Sequence, residues 1–205
     1  MNPLRLAIGG GIGSGKSQVG RLLVERGFAV LDADRVGHSV LSGNHPVARQ
    51  VAERWPEAVT GGKVDRRSLG RIVFDDPDQL AELEAITHPA IRNGISRWAR
   101  EAGDRPAAVE IPLLADLVEG SWVWVIVETP LKLRKKRLRE RGMSDGEIEA
   151  RLAAQPSHKK WSEAADFVIG NAGTRDQLAR TLDDTLARIR ASTPARSAAD
   201  PTGAG

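Results

Sequence analysis

Cysteine and tyrosine are both missing from the 205 residues, and aromatic residues make up only 4% of the chain. Without cysteine there is neither a disulfide framework nor a thiolate metal site, and a reducing compartment, the cytoplasm, is the expected setting. No stretch approaches the roughly 20 uninterrupted apolar residues that a membrane helix needs. Met1-Asn2-Pro3-Leu4-Arg5 leads directly into a short apolar strand and a glycine loop, so no secretory signal is expected. The formal charge is only +3, and the basic residues are not interleaved with aromatics, which argues against a nucleic-acid partner.

What is present is ordinary for one globular domain, with 40% hydrophobic and 28% charged residues. No internal repeat is visible. The one low-complexity stretch, Ser192 to Gly205, reads as a disordered tail. Short apolar strands alternate with helical patterns, the signal for an α/β fold with a parallel sheet flanked by helices. Strands are predicted at Leu4–Ile8, Phe28–Leu31, Ala107–Ile111, Trp122–Val127 and Asp166–Ile169. From Arg35 to about Arg100 no strand is expected, only helical pattern broken by turn signals at Gly61-Gly62 and Asp75-Asp76-Pro77. A second helical excursion runs from Pro130 to Ala154 and contains the capping box Ser144-Asp145-Gly146-Glu147. Leu178, Leu182, Leu186 and Ile189 form the apolar stripe of a closing helix.

Gly10-Gly11-Ile12-Gly13-Ser14-Gly15-Lys16-Ser17 fits the phosphate-loop pattern G-x-x-x-x-G-K-S, preceded by a strand and followed by a helix as that pattern requires. Glycines let the backbone approach and curl, so that successive N–H groups and the positive end of the next helix meet a polyphosphate. Lys16 is expected to reach the β- and γ-phosphates of ATP, and Ser17 to supply a hydroxyl ligand to Mg²⁺. Asp32-Ala33-Asp34 closes the second strand, at the sheet edge where ligands bind in open parallel sheets. Two readings fit these acids: one holds an attacking hydroxyl in line and takes its proton, or they cap the following helix. Arg134, Arg137 and Arg141 fall on one helical face within the basic stretch 132–141. They read either as a lid of guanidinium forks over transferring phosphate or as a solvated face.

Leu6 to Ser17 followed by Leu31-Asp32-Ala33-Asp34 resembles the opening of dephospho-CoA kinases. So do Val64 to Phe74, Leu83 to Pro89, Ile111-Pro112-Leu113-Leu114, Arg137 to Gly142 and Ala165 to Gly173, in the family's order. The resemblance spans about residues 4 to 190. It implies a P-loop kinase with a five-stranded parallel sheet, an inserted helical substrate-binding region and a helical lid. The nucleotide core would occupy about 1–34, 105–130 and 164–191, the coenzyme-A-binding helices about 35–104, and the lid about 131–163. ATP would phosphorylate the 3′-hydroxyl of dephospho-CoA ribose in a monomer or weak homo-oligomer.

Carried onto this sequence, the resemblance makes Asp34 the catalytic base, with Lys16, Arg137 and Arg141 on the ATP phosphates. Gly11, Ile12, Gly13, Ser14, Gly15, Lys16 and Ser17 would hold the nucleotide, and Asn171 would lie beside the adenine. Asp32, Asp34, Arg66, His88, Pro89, Glu110 and Leu113 would border the acceptor. His88-Pro89 has a weaker reading as the end of one helix and the start of another. The chain departs from the family pattern at Gly9, usually threonine, at Arg134, usually glutamine, and at Gly170, usually aspartate. Glu110 and Asp116 exchange the usual aspartate and glutamate around the Pro-Leu-Leu block. A kinase of another small acceptor, such as a nucleoside monophosphate, and a nucleotide-dependent regulatory module are the rival readings.

Overall fold

Alternation along the first strand divides the interior into two cores: Leu6 and Ile8 project to one face of the sheet, and Ala7 to the other. A computed structural model describes residues 3–74, 76–112 and 116–192. Its main sheet has five parallel strands: β1 (Arg5–Gly9), β2 (Ala29–Asp32), β5 (Ala107–Glu110), β6 (Val123–Glu128) and β7 (Phe167–Gly170). Their order is β2-β5-β1-β6-β7, which puts β1 at the centre. Both faces are covered, and the strands therefore read as continuous apolar runs.

On one face, α1 (Lys16–Glu25) and α9 (Arg175–Ser192) bury Val19, Leu22 and Leu23 against Leu178, Leu182, Leu186 and Ile189. The predicted stripe of the closing helix is the one that is buried. An exposed Arg175–Glu25 ion pair at 2.6 Å adds little beside this apolar contact. On the other face, α2 (Ala33–Val40), α3 (Pro46–Arg54) and α4 (Arg66–Val73) pack on the long α5 (Pro77–Glu101). Trp55 lies fully buried there, its indole N–H donating to Gln79 Oε1 at 2.6 Å. Trp122 and Trp124 pack against the same cluster.

Two expectations are corrected in this helical region. Pro89 does not break the helix: α5 runs unbroken from Pro77 to Glu101. Ile91 and Ile95 beyond the proline are buried under the neighbouring helices, and that packing outweighs the lost hydrogen bond. A strand pair also exists where none was expected. β3 (Val59–Thr60) and β4 (Lys63–Val64) form a small antiparallel hairpin. Its turn, Gly61-Gly62, has φ of 58° and 75°, the left-handed pair that a type I′ hairpin requires. Two residues per strand are too few to leave a period-two pattern in the sequence.

The helices α6 (Leu131–Glu140), α7 (Asp145–Ala153) and α8 (His158–Ala164) fill the interval between β6 and β7. The Ser144–Glu147 capping box starts α7 as predicted, and Ile148 behind it is fully buried. Leu113 and the tail from residue 193 onward lie outside the described residues.

Leu182 is 1% exposed, and Leu182→Ala is expected to lower the unfolding free energy by about 2–5 kcal/mol. Arg180→Ala, on the exposed side of the same helix, is expected to stay within about 0.5 kcal/mol. Thermal unfolding followed by circular dichroism measures both.

Candidate active site

The loop from Gly10 to Gly15 leaves the carboxyl end of the central strand and ends at α1. Gly10, Gly13 and Gly15 have positive φ, and a Cβ on Gly10 would lie 2.5 Å from the Val127 carbonyl oxygen. Only glycine fits there. Gly15 is the N-cap of α1, with no side-chain cap and no acid in the first turn, so the helix presents unclaimed N–H groups to the loop.

The loop's carbonyls, by contrast, are claimed. Ser14 O accepts from Asn171 Nδ2 at 2.8 Å and lies 2.8 Å from Thr129 Oγ1. Arg137 donates to Asn171 O at 2.9 Å and, more weakly, to Gly13 O and Ser14 O at 3.4 Å. Arg134 Nε donates to Ile12 O at 2.8 Å, while the Ile12 N–H donates to Gln155 Oε1 at 2.8 Å. Lys16 Nζ reaches back to Gly10 O at 2.6 Å. Carbonyls held outward leave N–H groups for an anion. The Ser14 hydroxyl is buried with no partner among the described residues, a further donor inside the loop.

On one side of the loop stand the acids. Parallel register places Asp32 opposite Glu110, and Glu110 opposite Ile8, at the carboxyl ends of β2, β5 and β1. Asp32 caps α2 by accepting the Asp34 N–H at 2.9 Å. The capping reading holds for Asp32, while Asp34 stands on the first turn of α2, where its charge and that of Lys16 act on each other. Partial desolvation raises the pKa of Asp34 above the ordinary carboxylate value, although its side chain stays exposed, and the Asp32 charge adds to the rise. His38, Lys16 and Arg66 oppose it. Burial likewise raises Glu110, against its hydrogen bond from Ser17 at 2.9 Å. Lys16 is held below the usual ammonium range by burial, with Glu110 and Asp34 pulling it back.

On the other side of the loop, below the ends of β6 and β7, lies a cavity of about 760 Å³. Glu128, Pro130, Leu152, His158, Trp161 and Asn171 line it. Its volume suits a nucleoside. Gly9, where threonine is usual, leaves room for this wall: a Cβ there would lie 2.7 Å from the Trp161 ring.

The sequence-predicted residues divide accordingly. Gly11 to Ser17, Asp32, Asp34, Glu110 and Arg66, the first residue of α4, come together about the loop, Arg66 through its charge on Asp34. Arg137 and Asn171 meet the loop from behind, their side chains committed to backbone carbonyls. Arg141, exposed at the C-cap of α6, touches the loop only through repulsion of Arg137. His88 and Pro89 lie within α5, and burial lowers the His88 pKa, with Glu84, Arg92 and Asp116 as its charged neighbours. Thr129, Gln155 and His38 were not anticipated. His38 was readable in principle, four residues after Asp34 on one helix. Thr129 and Gln155 carry no local signal.

Among the described residues no cluster of three His, Asp or Glu side chains could hold a metal by itself. The site does fit Mg²⁺ held in part by substrate phosphate, since Ser17 Oγ and the neighbouring Glu110 carboxylate are hard oxygen donors.

Known proteins point the same way. The family model for dephospho-CoA kinase matches residues 4–177. A dephospho-CoA kinase of Parasynechococcus marenigrum is 40% identical over 179 residues, covering 85% of this chain and 90% of that protein. One from Frankia casuarinae is 40% identical over 195 residues, covering 93% and 85%. The solved structure of dephospho-CoA kinase from Campylobacter jejuni superposes with a TM-score of 0.57 at 26% identity, covering 90% of this chain and 96% of that one. Shikimate kinase from Aquifex aeolicus, at 14% identity and a TM-score of 0.52 over 93% of this chain and all of that one, shares the fold alone. With its phosphate loop, strand-end acids and sheet order in place, the chain belongs to the dephospho-CoA kinase family.

Proposed function

We propose that the chain transfers the γ-phosphoryl group of ATP to the 3′-hydroxyl of dephospho-CoA ribose, with Asp34 as the base. One observation carries this reading. The phosphate loop stands on the central strand, with a nucleoside-sized cavity at the β6–β7 side and the carboxylates of Asp32, Asp34 and Glu110 at the β2–β5 side. A nucleotide laid across the loop from that cavity points its terminal phosphate at the acids. An acceptor must then enter from the side of α2, α4 and α5, where Arg66, His88 and Pro89 stand.

The transition state is loose, so positioning and charge neutralisation dominate the chemistry. Loop N–H groups and Lys16 take the β- and γ-phosphate charge. Arg137 holds the loop in shape, and Arg141, free on the surface of the lid, supplies charge when the lid closes. Asp34 accepts the ribose hydroxyl proton, and its raised pKa brings it nearer to the alcohol it must deprotonate. Bound Mg²⁺, held by Ser17 with Glu110 beside it, would neutralise phosphate charge. Asn171 and the walls around Trp161 would enclose the adenine. The reading is of a monomer or weak homo-oligomer in the cytoplasm. No described helix is long and apolar enough to cross a membrane.

Pure protein incubated with ATP and dephospho-CoA should yield coenzyme A, followed by mass, whereas nucleoside monophosphates should give no product. A protein that binds ATP yet makes no coenzyme A would sink the assignment.

Asp34→Asn should slow turnover by about 10²–10⁴-fold while ATP affinity, measured by calorimetry, changes by less than about threefold. Asp34 must be ionised to act, and its pKa is raised, so activity should be lost on acidification above the ordinary carboxylate range. Asp32→Asn keeps a capping side chain but removes a charge that raises Asp34. The acid limb of the rate profile should therefore move to lower pH, and a limb that stays put or moves upward contradicts the assignment of Asp34.

A further inference from the structure

We infer that Gly20 is a positioning residue for phosphoryl transfer, because its missing side chain opens the corridor through which Glu110 reaches the Ser17 hydroxyl. The inference rests on the reading of Glu110 as a site residue. Gly20 lies in the middle of α1, buried between Val19 and Leu22 on the helix that follows the phosphate loop. Ser17 and Gly20 are three residues apart and share one face of that helix. Glu110 comes off the end of β5 and crosses this face. Its Oε2 accepts from Ser17 Oγ at 2.9 Å, and a Cβ on Gly20 would lie 2.2 Å from its Oε1 and 3.2 Å from its Cδ.

Backbone conformation does not explain the glycine. Gly20 has no positive φ, and helix interiors favour almost any residue over glycine. Space does explain it. The Glu110 carboxylate, reaching from the end of β5 to Ser17, passes directly over the spot a side chain at Gly20 would fill. A methyl group added at Gly20 would meet the free end of a flexible side chain, not backbone. The helix would accept the substitution, and the carboxylate would swing away from Ser17. A mere helix glycine and a positioning glycine thus predict opposite results.

Gly20→Ala should leave the thermal midpoint of the ligand-free protein unchanged or raised. Turnover should nevertheless fall by about 10–100-fold, with the KM for ATP within about threefold of the parent. Shortening the acid in the same molecule, Gly20→Ala with Glu110→Asp, should recover at least about tenfold of that loss, the non-additivity expected of two groups in contact. A Gly20→Ala protein within about twofold of parental turnover overturns the inference, as does a double variant no faster than the single one or a fallen thermal midpoint. Glu110→Gln tests the underlying reading separately. Parental turnover in that variant removes Glu110 from the site, whereas a slow Glu110→Gln beside a fully active Gly20→Ala rejects Gly20 alone.

Discussion

The site depends on one constraint: the carbonyls of the phosphate loop must face away from the ligand. A short glycine-rich loop has no intrinsic reason to sort its polar groups, since each residue offers one donor and one acceptor. Here the sorting is imposed from outside. Thr129 and Asn171 hold Ser14 O, and Arg134 holds Ile12 O. Asn171 is only 2% exposed, and its own carbonyl is met by Arg137, so the anchor is itself anchored. Buried groups satisfied in this chained manner resist rearrangement, because freeing one leaves several without partners.

The same constraint gives the lid helices a second task. Arg134 and Arg137 read from the sequence as a phosphate-facing or solvent-facing surface, and each also donates to backbone carbonyls at the loop or at Asn171. Arg141, on the same face one turn on, stays exposed. Glycine has a matching role on the protein side. Gly9 receives Trp161, and Gly20 receives Glu110.

Much of this was legible from residue order. The strand–loop–helix of the phosphate site, the parallel sheet, the closing helix stripe and the capping box at Ser144 all rest on local periodicity or local turn chemistry, and each strand was placed within about a residue or two of its observed bounds. What escaped had no local signature. The hairpin at Val59–Val64 is too short to show a period. The continuity of α5 through Pro89 is decided by three helices packed on it. Gln155, Thr129 and the inward turn of Asn171 matter through contacts with a loop more than a hundred residues away. Asp32 and Asp34 were read as base or cap, and the fold assigns the cap to Asp32, while the charges of Asp34 and Lys16 act on each other.

The distance along the chain between the loop and its anchors bears on how the protein is made. Ser14 and Asn171 are 157 residues apart, and the motif itself is complete at Ser17. A chain emerging from the ribosome therefore displays the whole glycine signature long before β7 arrives to hold it. The central strand's neighbours β5 and β6 also emerge well after it, though before β7. The loop's anchors are complete only once the C-terminal third docks, which leaves nucleotide little to bind as an early folding template.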